Sequence, residues 1–84
     1  MKWTVIWIPD VEKELAALWI NAPNRVAVTQ AADAVDAQLR RDPFANSESR
    51  AGQARVMIEF PLAVAYDVSD DDRLIIVWAV WRVS

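Results

Sequence analysis

The sequence predicts an α+β fold in the order β-α-α-β-β-β, with a helical hairpin packed on one face of a mainly antiparallel four-stranded sheet. Three observations carry this prediction. Apolar residues alternate with period two at residues 2–8, and they recur at helical spacing between Val11 and Leu39. The last three apolar segments are separated only by Pro61 and by the acidic run 69–72, connections short enough to imply antiparallel hairpins. At 84 residues there is room for one domain, residues 1–84, whose core buries somewhat over ~60% of the unfolded surface.

The elements follow in order. "KWTVIWI" (2–8) is rich in β-branched and aromatic residues, places Trp3, Val5 and Trp7 on one face, and stops at Pro9, so it reads as a strand. Asp10 then offers an N-cap, Glu12 suits the positive end of a helix dipole, and Val11, Leu15, Leu18 and Trp19 share a helical face that ends near "NAPN" (21–24). From Asn24 a second helix is signalled by Val28, Ala31, Ala32, Val35 and Leu39, with Asp33, Asp36, Gln38 and Arg40 turned outward. Arg40 and Arg41 complement its negative end, and Asp42-Pro43 terminates it. Residues 41–53 are polar, hold the only glycine, and read as a loop. Residues 54–60, 62–68 and 74–83 are the remaining strands, with a turn at 69–72.

Composition removes several function classes. There is no cysteine, so neither a disulfide nor a thiolate metal site assists the fold. The net charge is −3 and only two of the nine basic residues are lysines, which argues against binding nucleic acid by charge alone. No apolar stretch approaches the ~18 residues of a membrane span, and the N-terminus lacks a signal-peptide pattern, so a cytoplasmic protein without a membrane is expected. The run Asp70-Asp71-Asp72 lacks the spaced ligands and glycine of a calcium loop and reads as a solvated turn; neither metal nor cofactor is expected. Cohesion rests on packing, to which five tryptophans contribute: burying one removes ~150–250 Å², an upper bound of roughly 4–6 kcal/mol each.

"LIIVWAVWRVS" (74–84) is apolar on both faces until Arg82. Strict alternation puts Leu74, Ile76, Trp78 and Val80 on one side and Ile75, Val77, Ala79 and Trp81 on the other. Two amphipathic helices on one side of the sheet cover one of these sets. The other needs sheet curvature over a second small core, a second copy of the chain in a homodimer, or a partner polypeptide.

The segment "AADAVDAQLRRDP", leading through a polar loop with Gly52 to "ARVMIEFPLAVAYDVSDDDRLIIVWAVWRV", resembles the RelE/ParE superfamily of bacterial toxins, the toxin halves of type II toxin–antitoxin pairs. The similarity spans nearly the whole chain. It is carried by Asp42-Pro43, by Gly52 and Arg55 entering the second strand, and by Pro61-Leu62, Val64 and Tyr66 before an acidic hairpin and a Val-rich strand. It implies a cognate antitoxin as partner and one of two activities. ParE-like members inhibit DNA gyrase by binding it, whereas RelE-like members are endoribonucleases that cut mRNA on the ribosome.

Metal-independent RNA cleavage needs a base, a cation for the phosphate and an acid for the leaving oxygen. The resemblance assigns Arg55, Tyr66 and Arg82 as the candidate catalytic residues. The arginine that ribonuclease members carry three residues before the strand tyrosine is Ala63 here, and there is no histidine. Arginine, with a pKa above ~12, is a poor proton shuttle near neutral pH. Protein binding of the ParE-like kind, or a catalytically silent protein, is therefore expected, with RelE-like cleavage as the alternative. Trp81, Arg82, Arg50 and Arg55 are the candidate partner-binding residues, because Trp and Arg are enriched among interface hot spots. Arg50, Arg55 and Arg82 are also candidates for one cationic patch at an end of the sheet; the plainer reading pairs them with Glu48, Glu59 or Asp67.

Overall fold

The computed structural model describes residues 2–83. Its elements are β1 (Thr4–Trp7), α1 (Pro9–Ile20), α2 (Arg25–Arg41), β2 (Ser47–Ser49), β3 (Ala54–Glu59), β4 (Leu62–Ser69) and β5 (Leu74–Arg82). The strands form one sheet in the order β1-β5-β4-β3-β2. β1 runs parallel to β5, which places it at an edge, and every other pairing is antiparallel. The predicted order and the mainly antiparallel sheet are both present.

The sheet has five strands rather than four. The additional one, β2, lies inside the segment read as a loop, and its Ser-Glu-Ser sequence has neither β-branched nor aromatic residues to announce it. It is created by its neighbour. Gly52, at φ +66°, turns the chain so that Ser47, Glu48 and Ser49 pair with Met57, Val56 and Arg55. Arg55 Nε then donates to Ser47 Oγ at 2.9 Å.

Both helices begin one step from the expected place or on it, for identifiable reasons. α1 starts at Pro9, with Ile8 as N-cap and Asp10 already inside the first turn; the fixed φ of proline suits the first helical position, where no N–H is needed. α2 is capped by Asn24, whose side chain accepts from the Ala27 N–H at 3.1 Å. Arg40 and Arg41 fill the last turn of α2 and Asp42 ends it.

The core lies between the helices and one face of the sheet. Val11, Val28, Val35 and Leu39 from the helices meet Val5, Met57, Val64, Tyr66 and Ile75 from the strands. Strict alternation fails in β5. Ala65 pairs with Ala79 but Tyr66 pairs with Val77, so Trp78 is an extra residue, a β-bulge. The bulge moves Val80 onto the core side with Ile75 and Val77, all three buried, and leaves Ala79 and Trp81 on the opposite side. The two sets expected for this strand are thereby mixed.

Candidate functional site

The face of the sheet without helices is apolar. Ala63 pairs with Ile58 on one side and Trp81 on the other, and Ala65 pairs with Val56 and Ala79. Both alanines are buried although they stand outside the helix-packed core, because the larger side chains beside them close over the small ones. The covering residues pay with exposure: Trp78 retains 45%, Trp81 40%, Ile58 62% and Ile6, on β1, 43%. Trp78 is anchored through its indole N–H, which donates to Asp67 Oδ1 at 3.1 Å. The question raised by the last segment is thus resolved in part by the chain itself, and a contiguous apolar surface remains.

The candidate residues fall into three places. Arg55 and Tyr66 are directly paired across β3 and β4, on the helix side of the sheet. Arg55 is held there by Ser47 and by the ring of Phe44, which lies 5.2 Å from its guanidinium carbon. Tyr66 is fully buried and its hydroxyl donates to the carbonyl of Pro43. Burial pushes the phenol above its ordinary pKa, more than hydrogen bonding with Ser47 and the charge of Arg55 draw it down. Arg50 sits at the β2–β3 turn and pairs with Glu48 at 3.0 Å across two exposed side chains, one of the pairings expected for it.

Arg82 is elsewhere. It pairs opposite Leu62, four residues along β4 from Tyr66, which is about 13 Å at the rise of a strand. Arg50 and Arg55 are therefore near one end of the sheet and Arg82 near the other, so the three do not make one patch. Trp81, beside Arg82, is exposed on the helix-free face. The bulged Trp78 and the residues Val56 and Ile58 belong to the same face and were not among the candidates. For Val56 and Ile58 the alternation of β3 was the available signal; the bulge has none in the sequence.

A second concave feature lies between the helices. α1 and α2 leave a groove of about 670 Å³, floored by Trp7, Leu15, Val28 and Ala32 and flanked by Trp19. The Trp19 indole N–H donates to Thr29 Oγ1 at 3.1 Å, and Arg25 lies 4.8 Å over its ring. The Trp7 indole N–H donates to Asp36 Oδ1 at 3.0 Å, and Arg40 Nε donates to Asp36 Oδ2 at 2.7 Å. Burial raises the pKa of Asp36, but the hydrogen bonds from Arg40 and Trp7 and the Arg40 charge outweigh it and hold the carboxyl below its ordinary value.

No family profile matches the sequence, and no curated protein aligns with it. Solved structures do match. The toxin–antitoxin complex RelBE2 from Mycobacterium tuberculosis contains a chain that superposes with a TM-score of 0.78 at 14% identity, covering 98% of this chain and 99% of that one. The isolated RelE toxin of E. coli superposes with a TM-score of 0.68 at 13% identity, covering 98% of this chain and 85% of the toxin. The helical hairpin and the sheet, with nearly every residue included, thus have the fold of the RelE-type toxins.

Proposed function

We propose that this protein is the toxin-like component of a type II toxin–antitoxin pair, neutralised by a cognate antitoxin in the bacterial cytoplasm, and that it acts by binding protein rather than by cutting RNA. One observation carries the second half of the reading. Ala63, at the position where the sequence resemblance expects the arginine of ribonuclease members, lies on the helix-free face between Ile58 and Trp81. A phosphate and its developing charge need fixed cations, and the residues paired around Ala63 are apolar. Such a surface, with two half-exposed indoles, suits protein contact. Trp81 and Arg82 are its nearest contact residues, and Arg50 and Arg55 form a separate cationic end of the molecule.

Tyr66 supports the same reading. A general acid must reach the substrate, and this hydroxyl is enclosed and already engaged with Pro43. Induced expression in bacteria tests the proposal. Filamentation with a DNA-damage response supports the gyrase-binding form, and unimpaired growth supports a catalytically silent protein that only engages its antitoxin. Rapid translation arrest with cleaved mRNA overturns it in favour of a ribosome-dependent endoribonuclease.

A further inference from the structure

The groove between α1 and α2 has a property that the helix-free face lacks: an apolar floor with an acidic rim. Glu12 projects from α1, and Asp33 and Asp36 project from α2, around Trp7, Leu15, Trp19, Val28 and Ala32. Asp36 is already neutralised by Arg40. Among the described residues neither Glu12 nor Asp33 has an ion-pair partner, and both are exposed. No lysine or arginine lines the groove, although Arg25 lies over the outer ring of Trp19 and Arg40 reaches Asp36. The twelve residues of α1 give a channel about 18 Å long, the length of three helical turns.

We infer that this groove docks an amphipathic helix of a partner protein, with an apolar row seated on Trp7, Leu15 and Val28 and with lysine or arginine beside that row facing Glu12 and Asp33. The inference deepens the reading of a protein partner and rests on it. Apolar burial supplies the affinity, and the two unpaired carboxylates supply the choice of partner by favouring a basic helix and repelling an acidic one. A helix laid in a groove presents anchors at i, i+3 or i+4 and i+7, which matches the length of channel available.

The probe is a synthetic helical peptide of about four turns, with leucines at that spacing flanked by lysines, and its counterpart with every lysine replaced by glutamate. Titrated into the full-length protein, the lysine peptide is expected to bind saturably and the glutamate peptide at least ~10-fold more weakly. Glu12→Gln and Asp33→Asn are each expected to weaken the lysine peptide ~3-fold, and the double variant ~10-fold, with the difference shrinking at high salt. Both replace exposed side chains, so circular dichroism should show an intact fold. Trp78→Ala, on the opposite face of the sheet, should leave the titration unchanged.

Equal affinity for the two peptides, indifference to the double variant, or no saturable binding of the lysine peptide overturns the inference. So does a concentration-dependent dimer that the peptide dissociates, because the groove would then belong to a second copy of this chain. The growth experiment reads toxicity and the titration reads the groove, so failure of one is distinguishable from failure of the other.

Discussion

Tyr66→Phe separates a structural tyrosine from a catalytic one, and its cost can be worked from the structure. The ring is fully buried at the centre of β4, so the substitution keeps the packing and removes only the hydroxyl. That hydroxyl donates to the Pro43 carbonyl, 23 residues away, and ties the segment after α2 to the sheet. Loss of a buried hydrogen bond costs about 0.5–1.5 kcal/mol, rising to about 1–3 when the partner is left unsatisfied. Ser47 Oγ still donates to Pro43 at 3.3 Å, so the carbonyl is not abandoned and about 1–2 kcal/mol is expected. In urea, with a slope of about 1 kcal/mol/M for a small domain, the midpoint falls by about 1–2 M. The melting temperature falls by about 4–16 °C at roughly 4–8 °C per kcal/mol. Growth inhibition per folded molecule should be unchanged. The sequence holds a single tyrosine, so ultraviolet difference titration of the wild type reads this residue alone. Because the folded phenol is raised above its ordinary value, the contribution is fully present below pH ~10 and is lost as pH rises through the folded pKa. Phenolate should therefore appear together with unfolding. An unchanged urea midpoint combined with lost growth inhibition would refute the structural assignment.

Asp36 gives the opposite pH dependence: its lowered folded pKa stabilises the protein above the ordinary carboxylate value of about 4, and the contribution is lost as pH falls through the folded value. Asp36→Asn should flatten the acid limb of a stability-against-pH curve. Leu39→Ala opens a cavity at a fully buried site and should cost about 2–5 kcal/mol by chemical denaturation. Trp81→Ala removes only the buried part of the indole, so its cost should stay below about 4 kcal/mol, while co-purification with an antitoxin or target weakens; unchanged capture would exclude the helix-free face as a contact surface. Gly52→Ala meets no atom within 4 Å, so its cost should be the backbone term alone, about 1 kcal/mol in a thermal melt.

Periodicity made most of the fold legible. The helical row Val28, Ala31, Val35 and Leu39 is the buried row of α2, and the strand row Val64, Tyr66 and Val68 is buried in β4, since these patterns depend on burial that each element imposes locally. Five tryptophans promised a core built on indoles. Trp3 alone among them is fully buried, with Phe44 edge-on at 5.9 Å and Arg73 over its ring, while Trp19, Trp78 and Trp81 stay substantially exposed. Composition cannot distinguish an indole inside from one lying over alanines at the surface.

The candidate site was legible to a lesser degree. Trp81 was identifiable as a surface indole from its place beside Arg82, and the excess of apolar residues in the last strand correctly required cover beyond two helices. Which side chains share a face was decided elsewhere. The bulge at Trp78 exists because of how β5 meets β4, and it exchanges Val80 for Trp81 on the core side. β2 exists because Gly52 folds a polar segment back on β3. The separation of Arg82 from Arg55, and the meeting of Glu12 with Asp33 across a groove, depend on which strands and helices become neighbours. Local sequence determined the elements and their apolar faces, because hydrogen bonding and side-chain period act over a few residues. Register, bulge and juxtaposition came only with the tertiary structure, because they are set by contacts between residues far apart in the chain.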